Sequence, residues 1–304
     1  MLIFTLTLLT LMKRKVIQLS ASTLVISLPI EWTEKNLIKK GSELEVTEKE
    51  DSLLLSKEEH SKKIILDTKG RVFDKRYIGD LYIKGFDEIR INYDNKSILD
   101  EIKKINILGF EITTEEENYC IIKIVSEVLE NEFDTMLRKS FLLTKEIGNG
   151  LIEYLNGKDI DLKELRKLEK ENNRTSGFCL RILNKKGYKQ KNKTTFLYVI
   201  SRELESLCDI FKYAIDDMQE ETEKIKEYFK ECIQLFNTFY DIYYKYNPQT
   251  FKIFYQKTKE LFEKGRKLIN EKGTLAHHGL NLVISIRNIY GPYLTMNFEE
   301  EYFK

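Results

Sequence analysis

Residues 12–56 constrain the fold most, because they combine four short strands with one small helix in a chain that is otherwise mostly helical. Pro29 separates the second strand from the helix, and a proline at a helix entry gives up no needed hydrogen-bond donor. A unit of about 45 residues with such short strands buries little core by itself. We therefore expect it to pack on the rest of the chain or to pair with a second copy. The predicted strands span residues 16–19, 24–28, 44–47 and 53–55, and the predicted helix spans 32–37.

The rest of the chain divides into a mixed segment and a long helical one. With only 3 Pro and 14 Gly in 304 residues, long helices are favoured over a sandwich or a barrel. Beyond residue 134 apolar residues recur at threes and fours, which predicts six helices in two groups of three and an internal duplication. The segment before them predicts a helix at 97–105 and strands at 64–66, 81–83, 89–93, 109–112 and 119–124.

Residues 1–11 form an apolar run that is too short to cross a bilayer, which takes about 20 apolar residues. Positive charge follows this run rather than preceding it, which argues against a signal peptide. We expect the natural start at Met12, with residues 1–11 as a non-native extension or a disordered tail. An added strand is the alternative. No membrane span is expected.

The N-terminal unit resembles the DNA-binding domain of the AbrB/SpoVT type. The resemblance rests on R-K-V-I-Q-L-S-x-S-T-L-V-I-S-L-P at residues 14–29, on Trp32, and on L-I-K-K-G-S-E-L-E-V at residues 37–46. It implies that two copies interleave their hairpins into one dimeric β-barrel, with basic side chains on one face for DNA. The alternative is a barrel that serves only dimerisation.

Charge is segregated within this unit, although the whole chain carries a net charge of only +1. Residues 13–56 hold seven Lys or Arg and seven Asp or Glu; six of the positive residues lie at 13–15 and 35–40, and the negative ones lie mainly at 43–51. Such segregation allows one basic face. We expect DNA contacts first from Lys13, Arg14 and Lys15, and second from Lys35, Lys39 and Lys40.

The third predicted helix of the C-terminal region resembles the R-x-L-E-R-I-G-D-H-A-x-N-I-A signature of PhoU, the phosphate-uptake regulator family. Its sequence S-R-E-L-E-S-L-C-D-I-F-K-Y-A-I-D-D places Arg202, Leu204, Glu205 and Asp209 on matching positions. The resemblance implies two tandem three-helix bundles. An AbrB-type domain placed before such bundles is an arrangement common in archaea.

Together the two resemblances predict a multidomain protein. Its parts are a dimeric swapped-hairpin β-barrel at 12–56, an α+β connector at 57–127, and all-α PhoU-like bundles at 128–220 and 221–304. The implied function is that of a cytoplasmic, DNA-binding transcriptional regulator of phosphate uptake, with the helices as sensor or partner-binding region. The alternative is an adaptor whose helices contact a phosphate transporter or a signalling protein.

Three carboxylates of the third helix form a candidate metal site. Glu205 and Asp209 are four residues apart and Asp216 lies seven further on, so all three share a face that points away from the predicted core. Oxygen ligands suit a hard divalent cation, and the PhoU motif implies an iron-type or divalent metal cluster. The other motif of the first bundle, expected at residues 169–174, has lost part of its charge at Asn172 and Asn173. A solvated acidic face paired with Arg202 is the alternative reading.

The second bundle departs further from the PhoU motif. Gly291 stands where an acidic ligand is expected, and Pro292 is expected to interrupt the sixth helix. Asn172, Asn173 and Gly177 are expected to weaken the second helix.

The sequence contains few other candidate functional residues. Four widely spaced cysteines indicate free buried thiols in a reduced compartment. The sequence contains no nucleophile–base pair, no phosphate-binding glycine loop and no histidine spacing typical of metal sites. We therefore expect that the protein is not an enzyme. A lysine-rich loop is either plain solvated surface or an anion or partner contact; its lysines are Lys185, Lys186, Lys189, Lys191 and Lys193.

Overall fold

The chain divides into two units, residues 1–60 and residues 61–304, in the computed structural model. The structure describes residues 12–49, 52–56, 61–125, 132–218, 221–270 and 273–302. The extension or tail expected at residues 1–11 lies outside these ranges, and so do residues at the predicted domain boundaries near 57, 128 and 220. The boundaries stay predictions.

Two antiparallel hairpins and one short helix make up the described part of the N-terminal unit. Strand β1 (Ile17–Ser20) pairs with β2 (Thr23–Val25), and β3 (Glu45–Lys49) pairs with β4 (Ser52–Ser56). Helix α1 (Ile30–Lys35) lies between the hairpins in the chain and begins directly after Pro29. These elements lie where the sequence predicts them, shifted by one to three residues.

The described part of the N-terminal unit has no interior of its own in a single copy. Across residues 12–48 and 52–56 no side chain is buried. Large apolar side chains are exposed on both hairpins and on α1, as expected for a unit whose core is completed by another molecule. The most exposed are Val16, Ile17, Leu19, Leu24, Ile30, Leu37, Val46 and Leu53.

A four-stranded sheet with two helices opens the second unit. Its elements are β5 (Lys63–Asp67), α2 (Arg76–Ile83), β6 (Glu88–Asn92), α3 (Ser97–Lys103), β7 (Phe110–Glu115) and β8 (Tyr119–Ile124). The strand order is β5-β6-β8-β7, with β5 parallel to β6 and the other pairs antiparallel. Alternate residues of β6 and β8 pack with α2 and α3 into one core, which confirms the predicted α+β character of this segment.

One predicted strand of this segment is wrong, since residues 81–83 form the last turn of α2. The three apolar residues in succession carry no period by themselves. Ile78 and Tyr82, four residues apart, are both buried, and this spacing places them on one face of a helix.

Among the described residues from 132 onwards six helices follow, as the periodicity predicts, so a mostly helical region comes after the small β-rich unit. They are α4 (Phe133–Leu155), α5 (Leu162–Lys185), α6 (Thr194–Asp216), α7 (Glu223–Tyr244), α8 (Pro248–Leu268) and α9 (Thr274–Tyr302). Asn247 caps α8 by accepting hydrogen bonds from the backbone N–H groups of Gln249 at 3.0 Å and Thr250 at 2.9 Å.

The helices pack as two groups of three. Helices α4, α5 and α6 pack on one another, and so do α7, α8 and α9. The groups meet through α6 against α9 and through α4 against α7. The first helices of the two groups thus pack together, and so do the third helices. A Cβ at Gly148 of α4 would lie 2.7 Å from Cγ2 of Ile233 on α7, so glycine is required for this close approach.

Helices α5 and α9 run unbroken through the residues expected to weaken them. Asn172 is fully buried, and its side-chain amide donates to Oγ1 of Thr144 at 2.9 Å and accepts from Ser176 at 2.8 Å. Tyr293, directly after Pro292, is buried and donates to the carbonyl of Ile242 at 3.1 Å. Tertiary packing therefore outweighs the local preference against helix at both places.

Candidate nucleic-acid interface and carboxylate face

The basic residues predicted to contact DNA are exposed at two places in the N-terminal unit. Lys13, Arg14 and Lys15 lie one residue before β1, and all three are exposed. Of the second set, Lys35 lies in the last turn of α1, and Lys39 and Lys40 lie in the turn that follows. Within the ranges that the structure describes, none of the six takes part in an ion pair. Their ammonium and guanidinium groups are therefore available to a polyanion.

A tight turn presents Lys39 and Lys40. Ser42 Oγ accepts a hydrogen bond from the backbone N–H of Lys39 at 2.9 Å, and the N–H of Ser42 donates back to the carbonyl of Lys39 at 2.9 Å. Gly41 has a φ of 88°, a backbone angle that residues other than glycine rarely adopt. The turn fixes the backbone beneath both lysines.

The predicted carboxylate face lies on α6, and each of its acids has a cationic partner. Arg202 pairs with Glu205 at 2.7 Å, Lys212 pairs with Asp209, and Arg166 pairs with Asp216. These contacts fit the alternative reading of an acidic face held by local partners.

Glu205 lies deeper than the sequence indicates, with 23% of its side chain exposed. Burial raises the pKa of Glu205 above its ordinary value; Arg202 opposes the rise, and the nearby acids Asp209 and Glu169 add to it. A carboxyl in such surroundings is less readily charged than an exposed one.

Lys212 lies between two carboxylates, one on its own helix and one on the neighbouring helix. Its ammonium contacts Asp209 on its own helix and lies 3.3 Å from the buried carboxylate of Glu169 on α5. Asn173 also donates to Glu169, at 2.8 Å. In the described part of the chain no three His, Cys, Asp or Glu residues are grouped so that they could hold a metal ion. A metal at Glu205, Asp209 and Asp216 stays a prediction.

The lysine-rich loop after α5 is tied into the protein at several points. Lys185 pairs with Asp87 at 3.0 Å, Lys189 pairs with Asp134 at 2.9 Å, and Lys193 reaches Asn297. Lys186 and Lys191 are exposed. An anion or partner contact at this loop stays a prediction, and most of its ammonium groups already have structural partners.

A buried arginine that the sequence analysis does not single out joins the α+β segment to the helices. Arg181 of α5, with 3% of its side chain exposed, pairs with Asp87. It also donates to the carbonyls of Tyr82 at 2.8 Å and Phe86 at 2.7 Å. The signal for it is a cationic residue inside the apolar run F-C-L-R-I-L at residues 178–183, since a buried arginine requires a partner.

The carboxylate of Asp87 also binds the backbone directly before β5. Asp87 accepts a hydrogen bond from the N–H of Lys62 at 2.9 Å. Burial alone would raise the pKa of Asp87, but this hydrogen bond together with Lys185 and Arg181 outweighs burial and lowers it. Helix α5 and the first residues of the second unit are thus held by one carboxylate.

Comparison with known families identifies the N-terminal unit. A family model described as "Antidote-toxin recognition MazE, bacterial antitoxin" matches residues 17–63. No curated protein and no solved structure matches the chain. The match shows an AbrB/MazE-like domain at the N-terminal end of the described chain, which confirms the predicted domain class. The match does not extend to the helices, so their resemblance to PhoU stays a prediction.

Two further observations concern the whole chain. The four cysteines, Cys120, Cys179, Cys208 and Cys232, are free and buried. Every helix in the ranges covered by the structure is too short or too polar to serve as a membrane span.

Proposed function

We propose that this protein is a homodimeric, DNA-binding transcriptional regulator whose helical region receives a signal or binds a partner. The observation that carries the proposal is the complete lack of buried side chains across residues 12–48 and 52–56, in a segment of the AbrB/MazE-like class. Exposed apolar faces on both hairpins require a cover, and a second copy with interleaved hairpins supplies it.

Dimerisation also concentrates positive charge. Six basic residues per chain give twelve per dimer, and all six are exposed in the single copy. Duplex DNA presents phosphates at regular spacing, and binding releases counterions for each phosphate that a Lys or Arg neutralises. A dimeric unit with two equivalent basic sets fits a two-fold related DNA site.

The test is the salt dependence of DNA binding by the full chain. We expect a labelled random-sequence duplex to bind at about 50 mM salt, with affinity falling linearly on a double-logarithmic plot. If half of the twelve cations contact phosphates, the slope is about −5, from 0.9 for each of six contacts. Fluorescence anisotropy at four salt concentrations measures it. A chain that binds no duplex at the lowest salt contradicts the proposal.

The name of the matched family model favours a second candidate function. The name refers to a bacterial antitoxin and to toxin recognition, so it supports a protein that acts by binding another protein. In the adaptor form of this function the barrel only dimerises, and the helices contact a transporter-linked or signalling protein. A dimeric mass by light scattering, together with no DNA binding at low salt, would favour this function over the first.

Phosphate uptake is the process that we propose to be regulated. Its support is the signature at Arg202, Leu204, Glu205 and Asp209, together with the packing of six helices as two groups of three. We place the protein in the cytoplasm because its four cysteines are free and buried. Sequencing the genomic fragments that the full chain retains tests the proposed role in phosphate uptake. Fragments upstream of phosphate-transport genes support it, and a fragment set without them contradicts it.

A further inference from the structure

Strand β5 forms an open edge of the four-stranded sheet. Among the residues that the structure describes, β5 is hydrogen-bonded to β6 alone. The outer row of N–H and C=O groups of such a strand is a template for another strand, and proteins usually blunt it with charge, a bulge or a cover. Both edge strands carry exposed charges, Lys63 and Asp67 on β5 and Glu111 and Glu115 on β7. Strand β7 also has an irregular register between Ile112 and Thr114, whereas β5 pairs with β6 in regular register.

The apolar side chains of β5 are incompletely covered. Ile64 and Leu66 pack against the core of the α+β segment, yet both remain partly exposed. Ile65 points to the opposite face and is 64% exposed. Three apolar residues in succession at an unpaired edge are unusual in a protein that does not use that edge.

The sequence of β5 is complementary to itself when reversed. In an antiparallel pair of two β5 strands centred on Ile65, Lys63 lies opposite Asp67 of the second copy, and Ile64 lies opposite Leu66. Lys63 and Asp67 share the open face of the sheet with Ile65, because side chains alternate along a strand. Lys63 already pairs with Glu88 at 3.1 Å on that face, so a second carboxylate would extend an existing ladder of charges.

We propose that β5 pairs antiparallel with β5 of a second copy of this chain, joining two four-stranded sheets into one sheet of eight strands. A two-fold axis through Ile65 generates this pairing with identical surfaces on both copies. The pairing covers both Ile65 side chains and satisfies the open row of backbone groups.

The pairing rests on the dimer of the proposed function for its strength. Only six residues separate Ser56 of β4 from Lys63 of β5, so two copies joined through their N-terminal units hold their β5 strands at high effective concentration. A five-residue strand pair, too weak to form a dimer by itself, is then sufficient.

Disulfide formation in the full-length I65C variant tests the pairing. Position 65 faces itself across the two-fold axis, and directly opposed Cα atoms of an antiparallel pair lie about 4.5–5.5 Å apart, within the roughly 4.4–6.8 Å over which disulfides form. We expect the covalent dimer to form about tenfold faster under mild oxidation than in the matched control T113C, an exposed position on the opposite sheet edge. The four native cysteines are buried and contribute little.

The register is tested in the I65C background by exchanging charges. D67K places Lys63 opposite a lysine and should slow cross-linking severalfold. The double variant K63D/D67K should restore part of the rate, because the exchange regains opposite charges across the axis but loses the pairing of Lys63 with Glu88. Equal cross-linking rates of I65C and T113C in a protein of dimeric mass would overturn the pairing, as would no response to D67K. DNA binding by the reduced I65C protein reports separately on the proposed function, so either proposal can fail without the other.

Discussion

Replacing Lys13, Arg14 and Lys15 together by alanine is expected to weaken DNA binding roughly 100- to 1,000-fold at about 0.1 M salt. Three residues in each of two chains remove six cations from the dimer, and each phosphate contact contributes about 0.9 to the salt slope. If half of the six phosphate contacts assumed above come from these residues, the magnitude of the slope should fall by about 3, from 0.9 for each of three contacts. Anisotropy titrations of one labelled duplex at several salt concentrations measure both quantities.

The chain offers a control of equal charge. Lys163, Lys167 and Lys170 are exposed on α5, and their replacement by alanine changes the net charge by the same amount. This variant should bind DNA nearly as the parent does, since these lysines lie outside the N-terminal unit that we propose to contact DNA. Equal losses in both variants would mean that net charge, rather than the segment before β1, governs binding. Unchanged affinity in both would remove these three residues from the DNA interface.

Asp87→Asn is expected to lower the free energy of unfolding of the second unit by about 3–5 kcal/mol, because it leaves Arg181 buried without a charged partner. The variant also weakens the contact to Lys185 and the acceptor for the N–H of Lys62. Urea unfolding followed by circular dichroism at the helix band measures the loss. Asp80→Asn, an exposed position on α2, is the control and should change stability by less than about 0.5 kcal/mol.

The loss has a distinct pH dependence. The folded-state pKa of Asp87 is lowered, so its carboxylate stabilises the fold above the unfolded-state pKa, near 3.9, and this stabilisation disappears as pH falls through the folded-state value. The difference between parent and D87N should therefore be full at pH 7 and shrink below about pH 4. A difference that is constant from pH 7 to pH 3 would show that the charge of the Asp87 carboxylate does not stabilise the contact between α5 and the α+β segment.

Regular periodicity in the sequence predicts the helices well. Leu197, Leu204 and Phe211 recur every seven residues along α6, and all three are buried, so local sequence and packing agree. The same reasoning fails at residues 81–83, where the apolar run is too short to carry a period. It also fails at Pro292, where contacts of Tyr293 with α7 hold the helix together.

Contacts between distant parts of the chain could not be predicted in this way. Arg181 and Asp87 are 94 residues apart, and nothing in the sequence of either segment identifies its partner. Likewise the carboxylates of α6 follow from a spacing of four, but Lys212 reaches Glu169 only because α5 and α6 pack side by side. The open edge of β5 depends on the strand order of the sheet, which a pattern of apolar residues does not specify.

Concentration dependence of unfolding, followed through Trp32, tests the central claim most directly. Trp32 lies on α1 and is the one tryptophan in the 304-residue sequence, so its emission reports on the N-terminal unit alone. If a second copy supplies the core, each tenfold rise in protein concentration stabilises this unit by about 1.4 kcal/mol, and the urea midpoint of Trp32 rises accordingly. A Trp32 midpoint that stays constant over a hundredfold range of concentration would contradict a core shared between two chains.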